Sequence, residues 1–303
     1  MKQSANLSPA TAERRKFIKT ALGLGIGLPV LGPSFANAAK ACCSKPLFTR
    51  MGVNARLTQA NEVHQAGGDY LLISVNAFLR PNQPEAAFEE QLRLLEQSPI
   101  PVLSCNGFLR GDALRCVGPN AKTDNVLRFA ETTFRRAKRA GVKYIVFGSG
   151  GSRRRPDDWS KAQVDEQFIS LLKRMGPLAG EQGVTVAVEN LQERACNYLS
   201  RLSEVGEIIE AVDHPNVRML ADLYHASGME DPAKDLERYG HVVAVVEIAE
   251  KDGRTAPGVN GQDFTHYFNA LKKSGFQGPI EIEGKWNLKQ LANAFKVIRQ
   301  QSA

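Results

Sequence analysis

Apolar residues fall into two rhythms along this chain. Short, mostly apolar runs without strict alternation, bounded by Gly or Pro, read as parallel strands buried on both faces. They are predicted over 49–54, 69–75, 101–104, 142–147, 184–188, 217–221, 242–246 and 279–282. Between them, apolar positions recur at three- and four-residue spacing, which predicts helices. These cover 57–66, 85–97, 123–140, 160–182 with an interruption at Gly176-Pro177, 203–212, 232–239, 264–273 and 288–299. Strict alternation of strand and helix argues for a parallel sheet, and eight pairs argue for a closed (β/α)8 TIM barrel spanning 49–303. An open doubly wound sheet is the alternative. Its dinucleotide version lacks support, because Gly148-Ser-Gly-Gly does not fit the glycine fingerprint.

The last four strands share an ending. The run Val184-Thr-Val-Ala-Val188 leads into Glu189, Val217-Arg-Met-Leu-Ala221 into Asp222, Val242-Val-Ala-Val-Val246 into Glu247, and Pro279-Ile-Glu-Ile282 into Glu283. The carboxylates are spaced by 33, 25 and 36 residues, and a strand with its crossover helix takes roughly 30. All four would therefore lie at one rim, where barrels of this kind carry their sites. A single strand-end acid is as readily a helix cap. Four brought together repel one another and call for a cation.

Charge changes this picture little. Of the formal +7, residues 1–38 contribute +4, from five basic residues against Glu13, and the rest carries +3. That balance does not point to nucleic acid. The N-terminus, however, has the form of a leader. Arg14-Arg15 lies in a twin-arginine pattern, an apolar Gly-rich stretch runs from Ala21 to Leu31, and Ala36-Asn37-Ala38 suits cleavage. The apolar stretch is short for a membrane span and holds Pro29. Residues 1–38 are therefore expected to be a twin-arginine signal peptide engaging that export machinery, with 39–48 a linker. The mature chain is expected in the periplasm, without stable membrane insertion. Among five cysteines, Cys105 and Cys116 could bridge in oxidising surroundings. Nothing in the sequence sets an oligomeric state.

The succession Val-Ala-Val-Glu189-Asn, Ala-Asp222-Leu-Tyr-His225, Val-Val-Glu247-Ile-Ala-Glu250, Arg254-x-x-Pro257-Gly258 and Glu281-Ile-Glu283 resembles the xylose isomerase-like barrel superfamily, and within it the sugar epimerases and isomerases. Phe147-Gly-Ser-Gly-Gly-Ser-Arg153 and Ala270-Leu-Lys-Lys-Ser-Gly-Phe276 match as well, and the resemblance covers about residues 49–300. It implies a divalent metal, usually manganese, with magnesium or another hard ion as a substitute. The ligands would be Glu189, Asp222, Glu247 and Glu283. Glu189 and Glu283 would double as acid and base, moving a proton beside a carbonyl of a sugar or keto-sugar. His225 and Arg254 would contact substrate, with Asn106 and Trp286 as further candidates beside it.

The chain departs from this pattern twice. Glu247 stands where the family has a metal-binding His, and Ala195 stands where another Glu is common, with Glu193 nearby. Four carboxylates favour hard cations over zinc. The departures also leave open a non-catalytic carbohydrate-binding protein. A lyase or hydrolase acting on a keto-glycoside would use the same proton abstraction. A three-zinc DNA-repair enzyme of the superfamily would need a His-rich rim, and the chain has five His, with His64, His214, His241 and His266 in helix or turn contexts. Arg153, Arg154 and Arg155 either grip a ligand or form a solvated loop. Tyr224 reads as packing.

Overall fold

A computed structural model describes residues 46–303. The expected signal peptide and most of the expected linker lie outside the described residues. The strands are β1 (Phe48–Asn54), β2 (Tyr70–Leu72), β3 (Val102–Cys105), β4 (Tyr144–Phe147), β5 (Thr185–Glu189), β6 (Val217–Asp222), β7 (Val243–Ile248) and β8 (Gly278–Ile282). Each pairs in parallel with its successor, and β8 pairs with β1, so the sheet closes into a barrel. The helices are α1 (Ala60–Gln65), α2 (Val75–Phe78), α3 (Glu85–Glu96), α4 (Thr123–Ala140), α5 (Lys161–Glu181), α6 (Leu202–Val212), α7 (Leu223–Gly228), α8 (Lys234–Tyr239), α9 (Thr265–Lys273) and α10 (Leu288–Gln301).

Two helices escaped the sequence reading. α2 and α7 are short turns directly after β2 and β6, too brief to show a period. In contrast, α5 runs unbroken through Pro177. At the neighbouring Gly176 a Cβ would sit 2.6 Å from the His214 ring. The helix is held against the α6–β6 connection at that point.

Alternation along each strand divides the core. Val186, Val188, Val217, Met219, Ile280 and Ile282 join the large cluster under the helices. Leu72, Val146, Ala187, Leu220 and Val245 form a second cluster that fills the barrel lumen. Tyr70 is also fully buried, and its hydroxyl donates to the Ile280 carbonyl at 3.0 Å. Its ring lies where a Cβ of the paired Gly52 would be, so only glycine fits there. Cys105 and Cys116 are separate buried thiols, not a bridge. Cys116 Sγ instead donates to the Ser152 carbonyl at 3.1 Å, and burial pushes that thiol up to about 12.

Candidate active site

Residues two apart on a strand face the same side. Glu189 therefore lies above Ala187, Asp222 above Leu220 and Glu247 above Val245, all at the carboxyl end of the lumen. Glu283 follows β8 by one residue. One carboxylate oxygen from each of Glu189, Asp222, Glu247 and Glu283 lies within 4.8 Å of the others, as expected from the sequence.

The strand ends hold these acids differently. Asp222 divides its two oxygens. Oδ1 caps α7, accepting from the amides of Tyr224 at 2.7 Å and His225 at 3.1 Å, whereas buried Oδ2 has no partner. Asn190 locks β5 to β6 beside it, donating to the Asp222 carbonyl at 3.0 Å and accepting from the Asp222 amide at 2.9 Å. Both oxygens of Glu247 are buried without a donor. Glu283 accepts from Asn106 Nδ2 at 2.5 Å and from Arg254. Glu189 lies over Gly148 at the end of β4, where any Cβ would overlap its carboxylate.

Burial and mutual repulsion set the electrostatics. Burial raises Glu189, Glu247 and Glu283 above the ordinary carboxylate range, and the neighbouring carboxylates push Glu189 and Glu247 further. Arg254 works against the rise at Glu283. Buried carboxylate oxygens that lack donors fit a cation supplied from outside. Four oxygen ligands suit a hard divalent ion. The donor set therefore fits the metal that the sequence implied.

His225 stands beside this group. Its Nε2 is 3.7 Å from both Glu189 Oε1 and Asp222 Oδ2. Nδ1 accepts from the Gln192 amide at 3.3 Å, which places the hydrogen of the neutral ring on Nε2. Burial lowers its pKa and favours that neutral form. The ring thus presents a donor toward the site. Arg254 sits with φ at 51°, in the left-handed region, and its guanidinium lies 4.6 Å over the Tyr224 ring. Tyr224 is buried, as the sequence suggested, and forms the wall on which Arg254 rests.

Trp286 Nε1 donates to the Asn54 carbonyl at 3.1 Å and the indole packs on the core, bracing the end of β8 against β1. Glu193 does not stand in for a carboxylate at Ala195; it is exposed and lines a polar cavity with Arg155, Lys161 and Arg201. Arg153 is neither a surface grip nor solvated, being fully buried.

Glu281 is the residue the sequence reading left without a role. It is fully buried one layer below Glu283, accepts from Ser104 Oγ at 3.0 Å, and faces Tyr70 and Glu247. Burial raises it to about 7. Its signal was the Glu281-Ile282-Glu283 alternation, which puts two acids on one face.

A family model described as xylose isomerase-like TIM barrel matches residues 60–301. The chain belongs to that family. Among curated relatives, an L-ribulose 3-epimerase from Methylomonas sp. (strain DH-1) is 25% identical over 225 residues, covering 72% of this chain and 74% of the relative. A putative hydroxypyruvate isomerase from Danio rerio is 26% identical over 128 residues, which are 41% of this chain and 46% of that protein. The chain thus spans about half the length of that relative. The fold also matches the IOLI protein solved with a zinc atom bound, with a TM-score of 0.68 at 17% identity, covering 84% of this chain and 98% of that one.

Proposed function

We propose that this member of the family is an exported isomerase or epimerase that moves a proton at the carbon beside a carbonyl of a sugar or keto-sugar. One observation carries the reading: four strand-end carboxylates converge at the barrel mouth, with Asp222 Oδ2 and both Glu247 oxygens left without donors. The names of the relatives, an L-ribulose 3-epimerase and a hydroxypyruvate isomerase, support it. Glu189, Asp222, Glu247 and Glu283 would hold a divalent ion, and the oxygen-only set favours manganese or a similarly hard cation. Such an ion, when bound, polarises a substrate carbonyl and stabilises the charge that develops on its oxygen.

The residues divide the remaining work. Glu189 ends β5 and Glu283 follows β8, three strands away around the mouth, and in this reading one removes a proton that the other returns. Burial keeps both basic enough to accept it. His225 donates Nε2–H to a substrate oxygen without adding a charge. Asn106 and Arg254 orient Glu283, and Arg254 reaches toward the same space. Export to the periplasm rests on the twin-arginine leader, and intact mass of the exported protein beginning near Ala39 would support it.

The deciding experiment incubates free keto-sugars with manganese-loaded protein in heavy water. Deuterium should enter at the carbon beside the carbonyl. Glu189→Gln and Glu283→Gln should each slow incorporation by about 10²- to 10⁴-fold. Undiminished exchange in the double variant would sink the assignment.

A further inference from the structure

The loop from β4 to α5 carries three successive arginines with different fates. Arg154 and Arg155 reach carbonyl oxygens of Ala195 at 3.3 Å and Trp159 at 2.9 Å. Arg153 turns inward and is fully buried. Its Nη2 donates to the backbone carbonyl of Glu189 at 2.6 Å, while Nε and Nη1 have no partner. No carboxylate forms a salt bridge with it among the described residues. A buried guanidinium left this way is costly unless negative charge lies close.

The one hydrogen bond of the Arg153 side chain among the described residues is with the backbone of Glu189, whose carboxylate belongs to the cluster. The same loop begins with Gly148, over which the Glu189 carboxylate lies. The end of β4 therefore grips Glu189 twice, leaving room for its carboxylate and holding its carbonyl.

We propose that Arg153 is a positioning residue for Glu189, fixing the end of β5 through the Glu189 carbonyl. This inference rests on the reading of Glu189 as metal ligand and base. Groups behind a metal ligand commonly matter nearly as much as the ligand itself.

Arg153→Met, Arg153→Lys and, as a control from the same loop, Arg154→Met test it. Manganese binding is followed by calorimetry and turnover by deuterium incorporation. Arg153→Met should weaken manganese binding and lower kcat by about 10- to 100-fold with KM little changed. Arg153→Lys, which keeps a charge and a donor, should recover most of both. Arg154→Met should match the wild type. Wild-type manganese affinity and kcat in Arg153→Met would overturn the inference, as would Arg153→Lys no better than Arg153→Met. If Arg153→Met fails to fold, Arg153→Lys decides: activity near wild type supports the role, and a loss as large as that of Glu189→Gln overturns it. A wild type that neither binds manganese nor exchanges deuterium would instead overturn the functional reading, and this inference with it.

Discussion

Glu247 shows how one side chain can redirect a site. It presents two buried oxygens without donors where the family resemblance implies an imidazole. An all-oxygen shell disfavours zinc, which binds well to nitrogen and sulfur. Glu247→His should therefore raise zinc affinity relative to manganese by about tenfold or more, as measured by competitive metal titration. An unchanged preference would mean that Glu247 does not reach the ion. Glu281, beside it, makes the metal-free protein sensitive to pH. Its folded value of about 7 lies above the ordinary 4.5, so folding takes up a proton between those values. The resulting stability is fully present below the ordinary value and lost as pH rises through about 7. The melting temperature of chelator-treated protein should fall from mildly acidic to neutral buffer. Added manganese should offset the fall increasingly toward high pH, because it binds the ionised acids. A rising or flat metal-free curve would count against this account. These residues were unequally legible. Four strand-end acids stood out because each closes an apolar run, but Glu281 and Glu283 look alike locally. Only the length of β8 and the lumen it enters distinguish a buried acid from a rim acid.

At the scale of elements, the loop after β7 is organised by one carboxylate. Buried Glu250 accepts from the amides of Gly258 at 2.8 Å, Asn260 at 2.5 Å, Gly261 at 3.0 Å and Gln262 at 3.2 Å, and from the Thr255 hydroxyl at 3.0 Å. Arg254 rides on this loop with its left-handed backbone, and the Lys285 amide donates to its carbonyl at 2.7 Å. Glu250→Ala should leave several amides without acceptors, at about 1–3 kcal/mol each where they stay buried. Amide exchange should accelerate across 251–262, and kcat should fall through loss of Arg254 placement. Protection equal to wild type would refute the anchoring role. Gly148→Ala tests the end of β4 similarly, since its Cβ would displace the Glu189 carboxylate. Manganese binding should weaken while the melting temperature changes little; unchanged binding would show that the carboxylate can move aside. The eight strands were readable as short apolar runs bounded by Gly or Pro, and the long helices because their periodicity persists over many residues. The short α2 and α7, the Glu250 latch and the inward turn of Arg153 were not, because each depends on partners distant in sequence.

The whole molecule closes where β8 meets β1. Three side chains from the first half of the chain reach across to β8 in ascending layers: Tyr70 to the Ile280 carbonyl, Ser104 to Glu281 and Asn106 to Glu283. Their separations are 210, 177 and 177 residues. Contacts this far apart impose a large loop-closure entropy, so they should form late and be sparse in the folding transition state. Their consequence is kinetic. Tyr70→Phe removes one rung while keeping the ring, at a cost of about 1–1.5 kcal/mol. Most of that loss should appear as unfolding roughly tenfold faster, with refolding nearly unchanged. Slower refolding at constant unfolding would place the rung early. Layers that aim the acids at the barrel mouth would then also act as a clasp, setting how long a closed barrel stays shut.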